Sequence, residues 1–196
     1  MPLRSAPGDG PANPDARVAR GAAILRDGGV IAYPNESVYG LGCLPSNERA
    51  VERILALKGR ERSLGVILIA AEWAQFNGWA EELSALPKSR ELLQGRGVTW
   101  IVGAAPDAPD WITGARETIA VRRSSHPLAC ALCQAADSPL VSTSCNPHGM
   151  PPARTAKAAR NYFGNRVDWI LEGECGPLNR PTEIRDAVSG AILRPG

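Results

Sequence analysis

Two cations, Lys58 and Arg60, stand on either side of a glycine, and a set of neutral hydrogen-bonding side chains, Thr143, Ser144 and Asn146, follows much later in the chain. A compact ammonium beside a planar guanidinium fork is suited to gripping an anion. One Lys in the last turn of a helix merely compensates the helix dipole. Two cations straddling the helix stop shift the reading toward phosphate, with a solvated helix end as the plainer alternative. Hydroxyl and amide groups at a strand end can bond phosphate and sugar oxygens without adding charge, or can form an Asx or Ser turn before Pro147. The sequence carries no evident Ser-His-Asp set, paired carboxylates or metal cluster. Cys130 and Cys133 make a CxxC with His126 four residues upstream, but zinc takes four ligands and this pair falls in an apolar helical run, so core packing is its expected role. The GLGCLP stretch lacks the third glycine of a dinucleotide fingerprint, and no GxxxxGK[ST] phosphate loop occurs.

The elements that must position these groups are legible from periodicity. Residues 30–33 form an apolar strand stopped by Pro34, which has no backbone donor. A loop follows, exposing Asn35, Glu36, Ser37 and Tyr39, with Gly40 and Gly42 permitting close backbone approach. Asn47 is placed to cap a helix whose stripe is Val51, Ile54 and Leu55, and Gly59 to end it in the left-handed conformation. Lys58 and Arg60 are then expected on an exposed turn. Residues 65–70 (GVILIA) read as a strand buried on both faces, and 71–94 as a helical stretch with Trp73, Phe76 and Trp79 at core spacing. Further strands are expected at 98–103, 118–122 and 140–144, helices at 126–136 and 155–163, and short segments at 169–171, 183–188 and 191–194. Pro14 after Asn13 begins the first helix, with Val18, Ala22 and Leu25 on its apolar face. The Pro- and Gly-rich residues 1–13 are expected to be a disordered tail, and 14–196 one α/β domain on a twisted, partly parallel sheet with flanking helices.

At 196 residues the chain can bury one sizeable core. A net charge of +2 is too small to imply nucleic acid by itself. No stretch approaches a membrane span and the N-terminus lacks the apolar core of a signal peptide, so a cytoplasmic protein without membrane attachment is expected. Five cysteines, an odd number, then point to reduced thiols.

The string PNESVYGLG, the KGR of residues 58–60 before a strand, TSCN at 143–146, VAVR before HPLACALC, PTEIRDA and the final ILRPG occur in the order and spacing of one family. The chain resembles the YrdC family of threonylcarbamoyl-AMP synthases, of the bacterial TsaC type, from about residue 16 to the terminus. The resemblance implies a YrdC-like domain with a concave ligand-binding face. It implies that L-threonine, bicarbonate and ATP give L-threonylcarbamoyladenylate, pyrophosphate and water, in the first step of threonylcarbamoyladenosine formation in tRNA. Lys58 and Arg60 would hold the nucleotide phosphates and act in catalysis, and Thr99, Ser144, Asn146 and Arg194 would also contact ATP. Asn35, Arg122, Ser142 and Thr182 would form the threonine site. Mg²⁺ would travel with ATP, and the product would pass to proteins that complete the tRNA modification. A competing expectation is a non-enzymatic binder of structured RNA, using a concave basic surface and the Arg154, Lys157 and Arg160 face of the 155–163 helix.

The chain departs from the family pattern at two places. PTE has become Pro34, Asn35 and Glu36, and the PGPxT turn has become Gly95, Arg96, Gly97, Val98 and Thr99. Cys145 stands where Ala is common. Asn in place of Thr keeps hydrogen bonding but removes a methyl contact, so a change in amino acid selectivity is expected there.

Overall fold

Strands that are apolar on both faces and helices with a single apolar stripe require a sheet covered on both sides. The computed structural model describes residues 14–94 and 97–196. The expected tail at 1–13, the Asn13 cap and residues 95–96 of the turn before Thr99 lie outside that range. In chain order the elements are α1 (Pro14–Arg26), β1 (Ile31–Pro34), β2 (Tyr39–Gly42), α2 (Glu48–Lys58), β3 (Ile67–Ala70), α3 (Ser89–Gln94), β4 (Thr99–Gly103), α4 (Asp110–Thr113), β5 (Thr118–Arg123), α5 (Pro127–Ala136), β6 (Leu140–Ser144), α6 (Ala156–Phe163), β7 (Trp169–Ile170), β8 (Ile184–Asp186) and β9 (Ile192–Arg194).

The strands form one sheet in the order β7-β1-β2-β6-β3-β5-β4-β8-β9. The pairs β1 with β7, β3 with β5 and β4 with β8 are parallel, and the other neighbours are antiparallel. The mixed sheet agrees with the α/β expectation. Alternation along the first strand shows how both faces are used: Val30 and Ala32 join one core, Ile31 and Tyr33 the other. Helices α1 and α5 cover the second core through Val18, Ala22, Leu25, Ala129, Leu132 and Cys133. Helices α2, α4 and α6 cover the first through Val51, Ile54, Ile112 and Phe163. Cys133 is buried in that second core, as the apolar run predicts.

Two expected elements are different. The stretch after Pro34 is not an exposed loop throughout: Tyr39–Gly42 form β2, paired antiparallel with β1 and β6, and Asn35, Glu36, Ser37 and Tyr39 are all buried. Residues 71–94 do not form a continuous helix but two short 3-10 turns, Trp73–Phe76 and Leu83–Ala85, followed by α3. Gly78 takes a left-handed φ of 82°, and Glu81 donates its backbone N–H to Gly103 at 2.9 Å, drawing the chain out alongside β4. Pro87 then supplies no donor to continue a helix. The aromatic spacing still serves packing, since Phe76 is fully buried and Trp73 and Trp79 lie against the same core.

Both ends of α2 are set as the sequence predicts. Asn47 Oδ1 accepts from the Ala50 N–H at 3.0 Å. Gly59 closes the other end with φ 58°, while Gly59 and Arg60 donate to Ala56 and Leu55 carbonyls at 3.2 and 2.9 Å. The last helical side chain and the first residue beyond it are therefore held in fixed directions. Asn47→Ala should lower the unfolding free energy by about 1 kcal/mol in urea denaturation, with Asn47→Asp retaining most of the stability. Equal stability of all three proteins would show that this cap does not set the start of α2.

Candidate active site: a cationic cavity

Loops at the ends of β1, β3 and β6 and the segments carrying Arg116, Arg122, Thr182 and Arg194 enclose a cavity of ≈ 440 Å³. Asn35, Arg60, Arg122, Ser142, Ser144, Thr182 and Arg194 line it, which brings together most of the residues expected to act. Lys58, Thr99 and Asn146 are not on its wall. Each stands behind or beside a residue that is: Thr99 Oγ1 lies 3.3 Å from Thr182 Oγ1, and Lys58 bonds the Ser144 and Asn146 backbone.

At one end of the cavity Arg122 is the organiser. Its Nη1 donates to Thr182 Oγ1 at 3.0 Å, and its Nη2 pairs with Glu36 Oε2 at 3.3 Å. Both partners are buried, a setting in which an ion pair survives only if its remaining polar atoms are also satisfied. Glu36 Oε1 meets that requirement on the carboxylate side by accepting from Ser124 Oγ at 2.7 Å and from the Ser125 N–H at 3.0 Å, whereas Arg122 Nε is buried without a hydrogen-bond partner among the described residues. Burial alone would raise the Glu36 pKa, but Arg122, Ser124 and Ser125 outweigh it and hold the carboxyl below its usual value. Arg194 Nη2 donates to the Thr182 carbonyl at 2.8 Å, and burial, then the Arg122 charge, draws its pKa down. Asn35 Nδ2 reaches Ser142 Oγ at 3.5 Å.

At the other end Arg60 and Arg116 meet. Arg60 Nη2 donates to the Gly65 carbonyl at 3.0 Å and reaches that of Leu64 at 3.5 Å. Arg116 Nη1 donates to the same Leu64 carbonyl at 3.3 Å. Burial first, and then the charge of Arg116, lowers the Arg60 pKa. Among the described lining residues, four guanidinium groups thus face a single carboxylate, Glu36. The wall offers positive charge and neutral hydrogen-bonding groups, and no thiol or imidazole. Such a cavity can hold a polyanion beside a smaller charged molecule and stabilise charge that develops between them.

Lys58 is not on an exposed turn as the sequence reading has it. It is buried, with Nζ donating to Ser144 O at 2.6 Å, Asn146 O at 2.9 Å and Asn146 Oδ1 at 3.2 Å. The ammonium thereby ties the end of α2 to the 144–146 loop. Burial pushes its pKa down to about 8, with Arg60 a smaller cause in the same direction. Two further residues carry more of the site than their sequence signal indicates. Glu36 is visible there only as a polar residue after a strand stop, and Arg116 has no motif around it. Their importance depends on the partners that tertiary structure brings to them.

Known proteins resemble this arrangement. The Sua5/YciO/YrdC family model, described as "Telomere recombination", matches residues 23–196. A threonylcarbamoyl-AMP synthase of Halorhodospira halophila is 50% identical over 182 residues, which cover 91% of this chain and 94% of that protein. One from Coxiella burnetii is 50% identical over 171 residues, covering 87% of this chain and 92% of that protein. The solved structure of P. abyssi Sua5 complexed with L-threonine superposes with a TM-score of 0.84 at 28% identity. That match covers 93% of this chain, which spans about half of the longer protein, 54%.

The Lys58 geometry has a consequence for stability. Lys58→Ala leaves two half-buried carbonyls without their donor, so it should cost roughly 1 to 2 kcal/mol of unfolding free energy. Arg60→Ala, on the more open turn, should change stability by less than about 0.5 kcal/mol. Chemical denaturation of the two variants compares them, and equal midpoints would mean that Lys58 does not anchor the loop.

Proposed function

The chain belongs to the Sua5/YciO/YrdC family, and on that premise we propose that it is a threonylcarbamoyl-AMP synthase, an enzyme that uses ATP to make an adenylate. The observation that carries this reading is the excess of fixed positive charge, four guanidiniums against one carboxylate, beside neutral donors in one cavity. In the reaction the threonine amine and bicarbonate combine to a carbamate with loss of water. A carbamate oxygen attacks the α-phosphorus of ATP, the bond from that phosphorus to the α,β-bridging oxygen breaks, and its electron pair leaves with pyrophosphate. No protein nucleophile is required. The protein must bring two anions together, offset charge at phosphorus and limit water.

In this reading Lys58 and Arg60 offset the phosphate charge, Lys58 from behind the Ser144 and Asn146 loop. Thr99, Ser144, Asn146 and Arg194 hold the nucleotide, while Asn35, Arg122, Ser142 and Thr182 receive threonine. Thr182 supports both assignments, because its hydroxyl meets Thr99 and Arg122 while its carbonyl accepts from Arg194. The two substrates would share that wall. Mg²⁺ would arrive with ATP as part of the substrate: Glu36, the one carboxylate among the described lining residues, is already engaged by Arg122, Ser124 and Ser125. The product is a reactive mixed anhydride, which fits direct passage to tRNA-modifying partner proteins. Among the described residues no helix is long and apolar enough to cross a membrane, and a cytoplasmic place beside ATP and tRNA fits the reaction. The RNA-binding alternative would draw on the α6 face, where Arg160 pairs with Glu172 at 2.9 Å and Arg154 bonds the Leu178 carbonyl. The cavity holds the larger share of uncompensated charge.

Pyrophosphate release should require threonine and bicarbonate together, and ATP hydrolysed equally well without threonine would overturn the assignment. Arg60→Ala should lower kcat/KM for ATP by an amount equivalent to roughly 2 to 4 kcal/mol, the scale of one aimed charge-assisted contact. Near-parental turnover of that variant would remove Arg60 from the phosphate site. Asn35→Thr restores a methyl group worth roughly 1 kcal/mol of discrimination. It should lower the KM for threonine relative to serine, whereas an unchanged ratio would return Asn35 to the role of a loop residue.

A further inference from the structure

Arg116 lines the cavity without belonging to any motif, and the backbone around it is built closely. Gly114 and Ala115 are consecutive left-handed residues, with φ 67° and 61°, a conformation that residues with a Cβ adopt only when their surroundings impose it. A Cβ on Gly114 would fall 2.4 Å from the Ser63 carbonyl oxygen, and one on Gly65 would fall 2.9 Å from that of Thr113. The 62–65 turn therefore packs backbone against backbone with the end of α4, and Val66 donates to the Ile112 carbonyl at 2.9 Å. This arrangement delivers Arg116 to the Leu64 carbonyl that Arg60 also approaches.

The two ends of the cavity differ in charge balance. Arg122 is paired with Glu36, whereas neither Arg60 nor Arg116 has an ion pair with a carboxylate among the described residues. Nearby Arg62 takes the local carboxylates instead, pairing with Glu48 and Glu52 at 2.9 and 3.0 Å and with Asp110. We infer that Arg60 and Arg116 together form the subsite for the β- and γ-phosphates of the nucleotide and hold them as pyrophosphate when the bond to the α-phosphorus breaks. The inference rests on the synthase reading above and adds Arg116 as a substrate-binding residue. A monoanionic carboxylate suits the Arg122 end, where Glu36 offsets one of the two guanidiniums, those of Arg122 and Arg194. A group carrying several negative charges, whose charge rises as the leaving group takes the electron pair, suits two guanidiniums with no counter-ion of their own. Two like charges held on one carbonyl repel each other, and a bound diphosphate removes that repulsion.

The test compares wild type with Arg116→Ala and Arg116→Lys by pyrophosphate inhibition, by the KM for ATP and for threonine, and by calorimetric titration of pyrophosphate and of AMP into each protein. Arg116→Ala should weaken pyrophosphate and ATP by roughly tenfold to a hundredfold, while AMP and threonine change by less than about twofold. Arg116→Lys should recover part of the loss, keeping the charge but not the fork. Unchanged pyrophosphate affinity in Arg116→Ala overturns the inference. So does an equal weakening of AMP, threonine and pyrophosphate, which would mark a general disturbance of the cavity. If wild type releases no pyrophosphate with threonine and bicarbonate present, the synthase reading fails, and the pyrophosphate titration still decides whether Arg116 binds the diphosphate.

Discussion

Positive charge kept partly out of water, and not neutralised by the protein's own carboxylates, is the constraint on which the site depends. A guanidinium near a carboxylate will pair with it unless something else occupies that carboxylate. The carboxylates around α2 and α4 are occupied by Arg62, which gathers Glu48, Glu52 and Asp110 on the outside of the fold and lies over Trp111 at 5.9 Å. Arg60, two residues earlier, is left to donate to backbone carbonyls, which orient it without cancelling its charge. The sequence spacing of Arg60 and Arg62 across the short 3-10 turn Arg62–Leu64 thus sorts one cation into structure and the other into the site.

The same sorting explains the differing treatment of the two ends of the cavity. Arg122 lies in the middle of the sheet, on β5 between β3 and β4, where an unpaired charge would be costly to desolvate. Glu36 supplies the counter-charge and is in turn held by Ser124 and Ser125, while Arg122 Nε stays buried without a hydrogen-bond partner among the described residues. Arg60 and Arg116 sit on turns with access to water and tolerate the absence of a carboxylate. The result is a contrast between an end where Glu36 offsets one of two guanidiniums, Arg122 and Arg194, and an end where neither Arg60 nor Arg116 has a carboxylate partner among the described residues.

The sequence was most legible where local rules fix the chain. The α2 cap at Asn47 and its stop at Gly59 are properties of single residues and immediate neighbours, and both are present as expected. The apolar runs around Ile31 and Leu68 need no partner to be recognised as strands buried on two faces. Residues 71–94 misled because aromatic spacing reports packing rather than backbone path: Phe76 reaches the core from a 3-10 turn as well as it would from a helix. The cavity was legible in its membership but less so in its wiring. Lys58 and Arg60 are two residues apart, yet one turns inward to the 144–146 loop and the other outward to the 64–65 carbonyls. That difference depends on which loops the tertiary fold brings to the end of α2, which pattern alone does not carry.

Lys58 fixes the loop that lies beside these guanidiniums. Its ammonium lies within bonding distance of oxygens from Ser144 and Asn146, which ties that loop to the end of α2. A nucleotide phosphate arriving near Ser144 and Asn146 would meet that loop preformed, with little entropy left to lose on ordering it. The cost is a weaker pull on distant anions, because the buried ammonium stands behind the loop while the guanidiniums line the cavity. Long-range attraction then falls to the guanidiniums on the cavity wall and short-range fit to the Lys58-anchored loop.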